Sequence, residues 1–441
     1  MAMISEPNPV DFLFEHATVV TMDSQRRVLD NSAVAVSGSQ IHWIGPQEQA
    51  AGFTPRQRLD LNGKVLIPGI VNAHGHWSMA LYRGLVDDQP LEQWLNVFWK
   101  VEREFNSPEN VGIGAQLAII EMLRSGTTCA HDMYWQYRAV TQAAREAGFR
   151  MVNGPSFTEI VGFENMQNVT REGALEYIQT YSADPLVHVC VQAHSTYTTN
   201  TGMLEYVNRL AQDYGLVFVT HASESRSEVE TVRAKYNRSP IEVLDSVGLL
   251  NARTLLAHCV HLSDAEIDRL AQTGTSVAHC PSSNLKLASG IARVADMLRA
   301  GVNVGIGTDG PASNNDLDMF EEARLAALVQ KGATGDPTAL PAEKVFAMMT
   351  IDGARAVGLA DRLGSIEVGK LADLAVVDFT APNLTPCYDL YSQLIYAASA
   401  ENVSDTMVNG RLMMRDRQML TLDEAEVKAR VNRVAAQVRL V

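Results

Sequence analysis

Two histidines, His74 and His76, stand two residues apart at the end of an apolar run, VLIPGIVNAHGH. Side chains alternate across a β-strand, so residues i and i+2 point the same way and both imidazoles can reach one ion. His221 and Asp309 end two later apolar runs and can complete a set of three imidazoles and one carboxylate. Such a set suits one divalent ion, Zn²⁺ foremost and Fe²⁺ as the alternative, which would acidify a bound water.

Residues suited to proton transfer lie beside these candidate ligands. Glu224 follows His221 by three residues and can exchange a proton with a substrate nitrogen; the alternative is a solvated side chain in the charged run ESRSEVE. His258 ends another apolar run and can act as a base or orient the attacking water, with metal ligation or a structural hydrogen bond as alternatives. Asp309 can bind an ion through one oxygen and accept the proton of water through the other.

The middle of the chain repeats one pattern of predicted strands and helices, and these elements must position the candidate site residues. Eight short apolar runs alternate with longer amphipathic stretches, several of which end at a Gly that is typical of a helix C-cap. This alternation predicts a parallel sheet buried on both faces, and eight strands close a (β/α)₈ barrel with its active site at the strand carboxyl ends. An open doubly wound sheet is the alternative, and no GxGxxG follows the first strand to support it.

Both ends of the chain are predicted to be β-rich. FLFEHATVVTMD and SAVAVSGSQIHWIG lie near one end, and LADLAVVDFT lies near the other, followed by a hairpin about Asn409-Gly410. An Asn-Gly pair suits a type I′ turn. We expect residues 1–64 and 366–441 to form one composite β-sandwich domain beside a catalytic barrel of residues 65–365.

Composition restricts the classes of partner. The 441 residues carry a net charge of −15, which disfavours nucleic acid as a partner. The chain has no apolar run long enough for a membrane span, and its first residues do not resemble a signal peptide. Five scattered cysteines without CxxC spacing favour a reducing cytoplasm. We therefore expect a cytoplasmic protein that acts on a small molecule.

Several blocks resemble the amidohydrolase superfamily, in the branch of chlorohydrolases and aminohydrolases of N-heterocycles: PGIVNAHGH, SGTT, HASE, AHCVH, HCPSSNLKL, GTDGPASNN and SIEVGKLADLAVVD. The resemblance implies a distorted (β/α)₈ barrel with a β-sandwich from both termini, and a homo-oligomer. It also implies roles for individual residues: a metal held by His74, His76, His221 and Asp309, proton transfer by Glu224 and His258 with help from Asp309, and a hydrogen bond from His194 to the substrate ring.

Within that branch the chain is most similar to the 5′-methylthioadenosine/S-adenosylhomocysteine deaminases. Glu92 and Trp94 match a Glu-x-Trp motif whose carboxylate binds ribose hydroxyls and whose indole flanks the base; the alternative is a helix start with a buried Trp. Asn153 stands where related deaminases can carry a substrate-facing Arg. The loop that follows, GPSFTEIVGFENMQN, contains no Arg, and Arg171 is distant. This disfavours a charged homocysteine tail.

The expected reaction is therefore hydrolytic deamination of an amino-substituted N-heterocycle. Alternatives on the same site are an s-triazine chloro- or aminohydrolase and a deaminase of guanine-like, pterin or cytosine-like rings. A non-catalytic binding protein is disfavoured, because every ligand position is filled.

Overall fold

The computed structural model describes residues 8–160 and 169–438. The expected β domain thus has its first seven and last three residues outside the described part. Its first strands follow one another with short connections: β1 Asn8–Val20, β2 Val28–Ser37, β3 Gln40–Pro46, β4 Phe53–Asp60 and β5 Lys64–Pro68.

The barrel begins immediately after β5. Its strands are β6 Ile70–Asn72, β7 Thr127–His131, β8 Arg150–Asn153, β9 Ser156–Phe157, β10 Val187–Ser195, β11 Val217–Ala222, β12 Thr254–His258, β13 Ser276–His279 and β14 Val304–Ile306. Eight of them run parallel in chain order from β6 to β14, and the short β9 adds to β10. The ring is closed where Ala73 N–H donates to the carbonyl of Ile306 at 2.8 Å. The expected (β/α)₈ barrel is confirmed.

A second sheet contains strands from both ends of the chain. After the barrel come β15 Leu374–Asp378, β16 Val403–Val408, β17 Arg411–Arg415 and β18 Gln418–Met419. They join β1–β5 in one mixed sheet in which β15 pairs with β5, and β1 pairs with β4 along one half and β5 along the other. Asn409 and Gly410 have φ of 53° and 75° and form the turn between β16 and β17, as the type I′ prediction requires.

One predicted strand is divided between the two sheets. The run VLIPGIVN reads as a single apolar strand, but β5 belongs to the terminal sheet and β6 to the barrel, with Gly69 between them. A Cβ at Gly69 would lie 2.1 Å from the Thr128 hydroxyl of β7. A side chain at this position would clash with Thr128, so glycine allows the backbone to pass close to β7 as it enters the barrel.

Helices flank the barrel and connect its strands, and further helices follow β14 in the chain. They are α1 Leu91–Phe105, α2 Pro108–Arg124, α3 Tyr137–Ala147, α4 Arg171–Tyr181, α5 Thr201–Tyr214, α6 Arg226–Tyr236, α7 Pro240–Ser246, α8 Asp264–Thr273, α9 Pro281–Lys286, α10 Val294–Ala300, α11 Met319–Thr334, α12 Ala342–Met348, α13 Ile351–Ala356, α14 Leu390–Ser392 and α15 Glu424–Val438. Gly148 and Gly274 end α3 and α8 in the left-handed conformation, as predicted. Within residues 8–160 and 169–438, no helix combines the length and apolarity that crossing a membrane requires.

A buried ion pair joins the barrel to the terminal sheet. Arg150 of β8 donates from Nε and Nη2 to the two oxygens of Asp373, at 2.8 and 2.9 Å, and the two side chains are only 3% and 2% exposed. Asp373 also accepts the backbone N–H of Asn409 at 2.7 Å. The hairpin turn is therefore held directly against a barrel strand.

We expect Arg150→Ala to lower the free energy of unfolding by about 3–5 kcal/mol, because it leaves the Asp373 carboxylate buried without its partner. Urea unfolding followed by circular dichroism measures the change. Arg145→Ala is the matched control: its 2.7 Å contact with Asp184 is half exposed on the arginine side, and its loss should cost about 0–1 kcal/mol. Equal losses in the two variants would contradict a structural role for the buried pair.

Candidate metal centre and active site

The four predicted metal ligands meet at the carboxyl end of the barrel. His74 and His76 follow β6, His221 lies in β11, and Asp309 follows β14. The Nε2 atom of His221 is 3.2 Å from Nε2 of His74 and 3.3 Å from Nε2 of His76. Asp309 Oδ1 lies 3.4 and 3.1 Å from the same two histidine atoms. Residues distant in the chain thus bring three ring nitrogens and one carboxylate oxygen around a single point.

Hydrogen bonds to the far side of two rings determine which nitrogen faces that point. Nδ1 of His221 donates to the backbone carbonyl of His194 at 2.7 Å, and Nδ1 of His76 donates to the carbonyl of Met133. In the neutral form of each ring, whose single proton is then on Nδ1, Nε2 presents a bare lone pair to the centre. Asp309 Oδ1 is buried without a hydrogen-bond partner. Converging lone pairs and an unpartnered carboxylate oxygen fit one divalent cation.

The second oxygen of Asp309 is held by two hydroxyl groups. Ser283 Oγ donates to Oδ2 at 2.6 Å, and Ser313 Oγ donates at 2.9 Å. Fixing one oxygen in this way turns the other towards the histidines, as outer-shell partners of metal ligands commonly do.

His258 lies close enough to the centre to be counted with the ligands. One ligand atom from each of His74, His221, His258 and Asp309 lies within 4.8 Å of the other three, so His258 could replace His76 in a set of the same chemistry. Nδ1 of His258 is bonded to Asn284 Oδ1 at 2.9 Å, and its Nε2 is 3.7 Å from Glu224 Oε2. The short contacts of His76 and the pairing of His258 with Glu224 favour His76 as the ligand and His258 as a proton-transfer group.

Glu224 and His194 face the same cavity as the metal centre. Burial raises the pKa of the Glu224 carboxyl, while the nearby His258 ring opposes that change. Burial lowers the pKa of His194 to about 3, so its ring is neutral. Nδ1 of His194 contacts the Thr198 hydroxyl at 2.9 Å. Each residue therefore lies where it can contact a bound ring.

The cavity beside the metal centre opens to solvent, and seven aromatic side chains are among its described lining residues. Helix α1 forms one wall, with Trp94 and Phe98 packed at a ring-centroid distance of 4.2 Å. Trp94 thus lines the cavity, and its expected contact with the substrate base stays a prediction. Its neighbour Glu92 is exposed and is not among the described lining residues, although it is near enough for its charge to act on Tyr197.

Asn153 also lies away from the cavity. Its amide nitrogen donates to the carbonyl of Tyr137 at 3.0 Å and to the Thr141 hydroxyl at 3.2 Å, and its amide oxygen accepts from Gly154 N–H. These bonds connect β8 to α3. Contacts between substrate and Glu92 or Asn153 stay predictions. The loop whose sequence contains no arginine is described only in part, because its residues 161–168 lie outside the described residues.

Three buried polar residues of the site were not found from the sequence. Ser283 binds Asp309, Glu228 binds the backbone that carries Glu224, and Glu102 lines the cavity and accepts from the hydroxyl of Tyr134 at 2.6 Å. Burial raises the pKa of Glu102 to about 7. In the sequence, Ser283 is marked only by its place in the SSN of the HCPSSNLKL block. Glu228 is marked only as the second acidic residue of ESRSEVE.

Comparison with known proteins identifies the family of the chain and agrees with the fold. The pattern of the amidohydrolase family matches residues 65–413, and the chain belongs to this family. It is 41% identical over 434 residues to a 5-methylthioadenosine/S-adenosylhomocysteine deaminase of Syntrophobacter fumaroxidans, covering 97% of this chain and 98% of the relative. It is 43% identical over 427 residues to a 5′-deoxyadenosine deaminase of Methanothermobacter thermautotrophicus, covering 93% and 99%.

Solved structures agree as well. An adenosine deaminase from Xanthomonas campestris with bound zinc superimposes with a TM-score of 0.96 at 39% identity, covering 99% of this chain and all of that one. The atrazine chlorohydrolase of Arthrobacter aurescens, at 22% identity and a TM-score of 0.89 over 96% of this chain and 100% of that one, shares the fold.

Proposed function

We propose that the protein is a metal-dependent hydrolytic deaminase of adenosine-type nucleosides with an uncharged 5′ substituent, such as 5′-methylthioadenosine. The observation that carries the proposal is the meeting of two sets of residues in one cavity: a buried His₃Asp set that fits one divalent ion, and the Glu224–His258 pair beside it. Relatives named for deamination of such nucleosides, at about 40% identity over almost the whole chain, support it.

The residues divide the reaction among them. His74, His76, His221 and Asp309 would hold one divalent ion, Zn²⁺ foremost, which would act as a Lewis acid and lower the pKa of a bound water. Glu224 donates a proton to the ring nitrogen next to the amine-bearing carbon, so that negative charge does not build up there when the water oxygen bonds to that carbon. His258 and Asp309 orient the water, take its proton and pass it to the amine. The C–N bond then breaks, ammonia leaves with the bonding electron pair, and the remaining hydroxyl proton returns to Glu224 as the carbonyl group forms.

The lining of the cavity supports an uncharged substituent on the nucleoside. Its described residues include seven aromatic side chains and neither Lys nor Arg: Trp94, Phe98, Trp99, Tyr134, Trp135, Tyr137 and Tyr197. The stretch 161–168, VGFENMQN, also lacks a basic residue in its sequence. A carboxylate on the substrate would thus lose its hydration without gaining a cationic partner.

We expect ammonia release from 5′-methylthioadenosine to exceed that from S-adenosylhomocysteine by at least about tenfold in kcat/KM, since an unpaired buried carboxylate costs more than about 1.4 kcal/mol. The panel also includes adenosine, guanine and a chloro-s-triazine, each assayed with and without a chelator. Faster turnover of guanine or of the triazine would contradict the nucleoside assignment. Ammonia release that a chelator does not affect would contradict the metal dependence.

We also propose a reducing cytoplasmic location and a homo-oligomer. The location is supported by five free cysteines, four of them buried. Size-exclusion chromatography with light scattering measures the oligomeric state.

A further inference from the structure

The turn that carries Glu224 departs from ordinary strand geometry. Strand β11 ends at Ala222, and the next residue, Ser223, has φ of 53°, in the left-handed region that residues other than glycine seldom adopt. This conformation redirects the chain so that Glu224 projects into the cavity. Something in the surrounding structure must hold such a turn in place.

Glu228, in the first turn of α6, makes the contacts that can do so. Its Oε1 accepts the N–H of Ser223 at 3.1 Å, and its Oε2 accepts the N–H of Glu224 at 2.6 Å. The residue is only 6% exposed. Both donors lie beyond the end of the strand ladder, so one buried carboxylate satisfies two backbone groups of the turn.

The same turn is bonded to the segment that follows His258. Cys259 N–H donates to the carbonyl of Ala222 at 3.1 Å, and His261 N–H donates to the carbonyl of Ser223 at 2.9 Å. The segment after His258 thus binds carbonyl groups of the turn, and Glu228 binds its N–H groups. Between these attachments the Glu224 carboxylate lies 3.7 Å from Nε2 of His258.

We propose that Glu228 is a positioning residue for deamination: it fixes the Ser223–Glu224 turn so that the Glu224 carboxyl is held between His258 and the substrate ring. The inference rests on the proposed function, because it assigns to Glu228 the orientation of that function's proton donor. Glu228 itself is not among the residues that line the described cavity, so it acts through Glu224.

The first test is Glu228→Gln, which keeps the shape of the side chain but turns an NH₂ group towards one of the two backbone N–H donors. We expect kcat to fall about 10- to 100-fold, as displacement of a catalytic group by about 1 Å does, with KM and metal content unchanged. Glu230→Gln, at an exposed position of the same helix, should match the wild type. An unchanged kcat, or a loss of metal that parallels the loss of activity, would overturn the inference.

A double variant separates positioning from an independent effect on activity. If Glu228 acts only through the Glu224 side chain, Glu224→Gln/Glu228→Gln should be no slower than Glu224→Gln alone. Losses that multiply would show that Glu228 works by another route and would overturn the inference.

A crystal structure of Glu228→Gln tests the same point without any assay. We expect the turn to shift and the distance from Glu224 to His258 to increase beyond 3.7 Å. A turn that stays in place overturns the inference even if the enzyme is a deaminase. If the wild type releases no ammonia from any nucleoside, the proposed function fails, while the shift of the turn still decides whether Glu228 holds it.

Discussion

Glu224→Gln is expected to reduce deamination by about 10²- to 10⁴-fold and to leave the metal content unchanged. A glutamine amide fills the same space as the carboxyl group, but it cannot transfer a proton to the ring nitrogen, and general acid–base groups contribute about this much. The metal ligands converge without help from Glu224, whose Oε2 is instead 3.7 Å from Nε2 of His258. Steady-state ammonia release and metal analysis of the same preparation measure both quantities.

The exposed Glu230→Gln is again the matched control, because it changes the same chemical group on the neighbouring helix α6. Glu224→Gln with wild-type activity would remove Glu224 from the mechanism. A loss of metal together with activity would instead move Glu224 into the ligand set.

His221→Ala is expected to lose both the ion and the activity. The Nε2 atom of His221 lies 3.2 Å from Nε2 of His74 and 3.3 Å from Nε2 of His76. Replacing His221 therefore removes one of the nitrogen atoms that surround the proposed ion. The decrease in metal affinity should exceed the ~10–100-fold that loss of an outer-shell partner costs. Equilibrium dialysis against Zn²⁺ measures the affinity. His42→Asn, at an exposed position of the terminal sheet, is the control.

The same variant should also change the response of stability to a chelator. A ligand that binds only the folded state raises the unfolding temperature, so removing the ion should lower the Tm of the wild type. His221→Ala should begin at a lower Tm and show little further change on chelation. If chelation lowers the Tm of both proteins equally, the ion is bound elsewhere.

The fold could be predicted because its signals are local. Apolar runs that alternate with amphipathic stretches indicate the parallel barrel, and the Asn409-Gly410 pair marks a hairpin that the structure confirms. The division of residues 64–72 between two sheets could not be predicted. It depends on how closely Gly69 approaches Thr128 of another strand, which no periodicity along the chain reports.

The predicted metal ligands followed from strand geometry in the same way. Strand alternation indicated the right pair, although His74 and His76 lie just beyond β6 and not within it, and the barrel brings His221 and Asp309 to the same end. The position of a residue on a strand does not by itself fix which neighbours its side chain contacts. Nothing in the sequence shows that Asn153 turns towards the carbonyl of Tyr137 in α3.

The contact between Ser283 and Asp309 could not be predicted from the sequence either. Ser283 lies on the short helix α9, 26 residues before Asp309, and only the packing of the barrel brings its hydroxyl to 2.6 Å from the carboxylate. Contacts of this kind depend on how whole elements are placed, and sequence spacing carries no record of that placement.

Anomalous X-ray diffraction from crystals of the purified protein, recorded above and below the zinc absorption edge, tests the metal centre most directly. We expect one ion per chain at about 2.0–2.2 Å from the Nε2 atoms of His74, His76 and His221 and from a carboxylate oxygen of Asp309. No anomalous peak in fully zinc-loaded crystals, or a peak that excludes His221 and Asp309 from coordination, would contradict the metal centre and the deaminase built upon it.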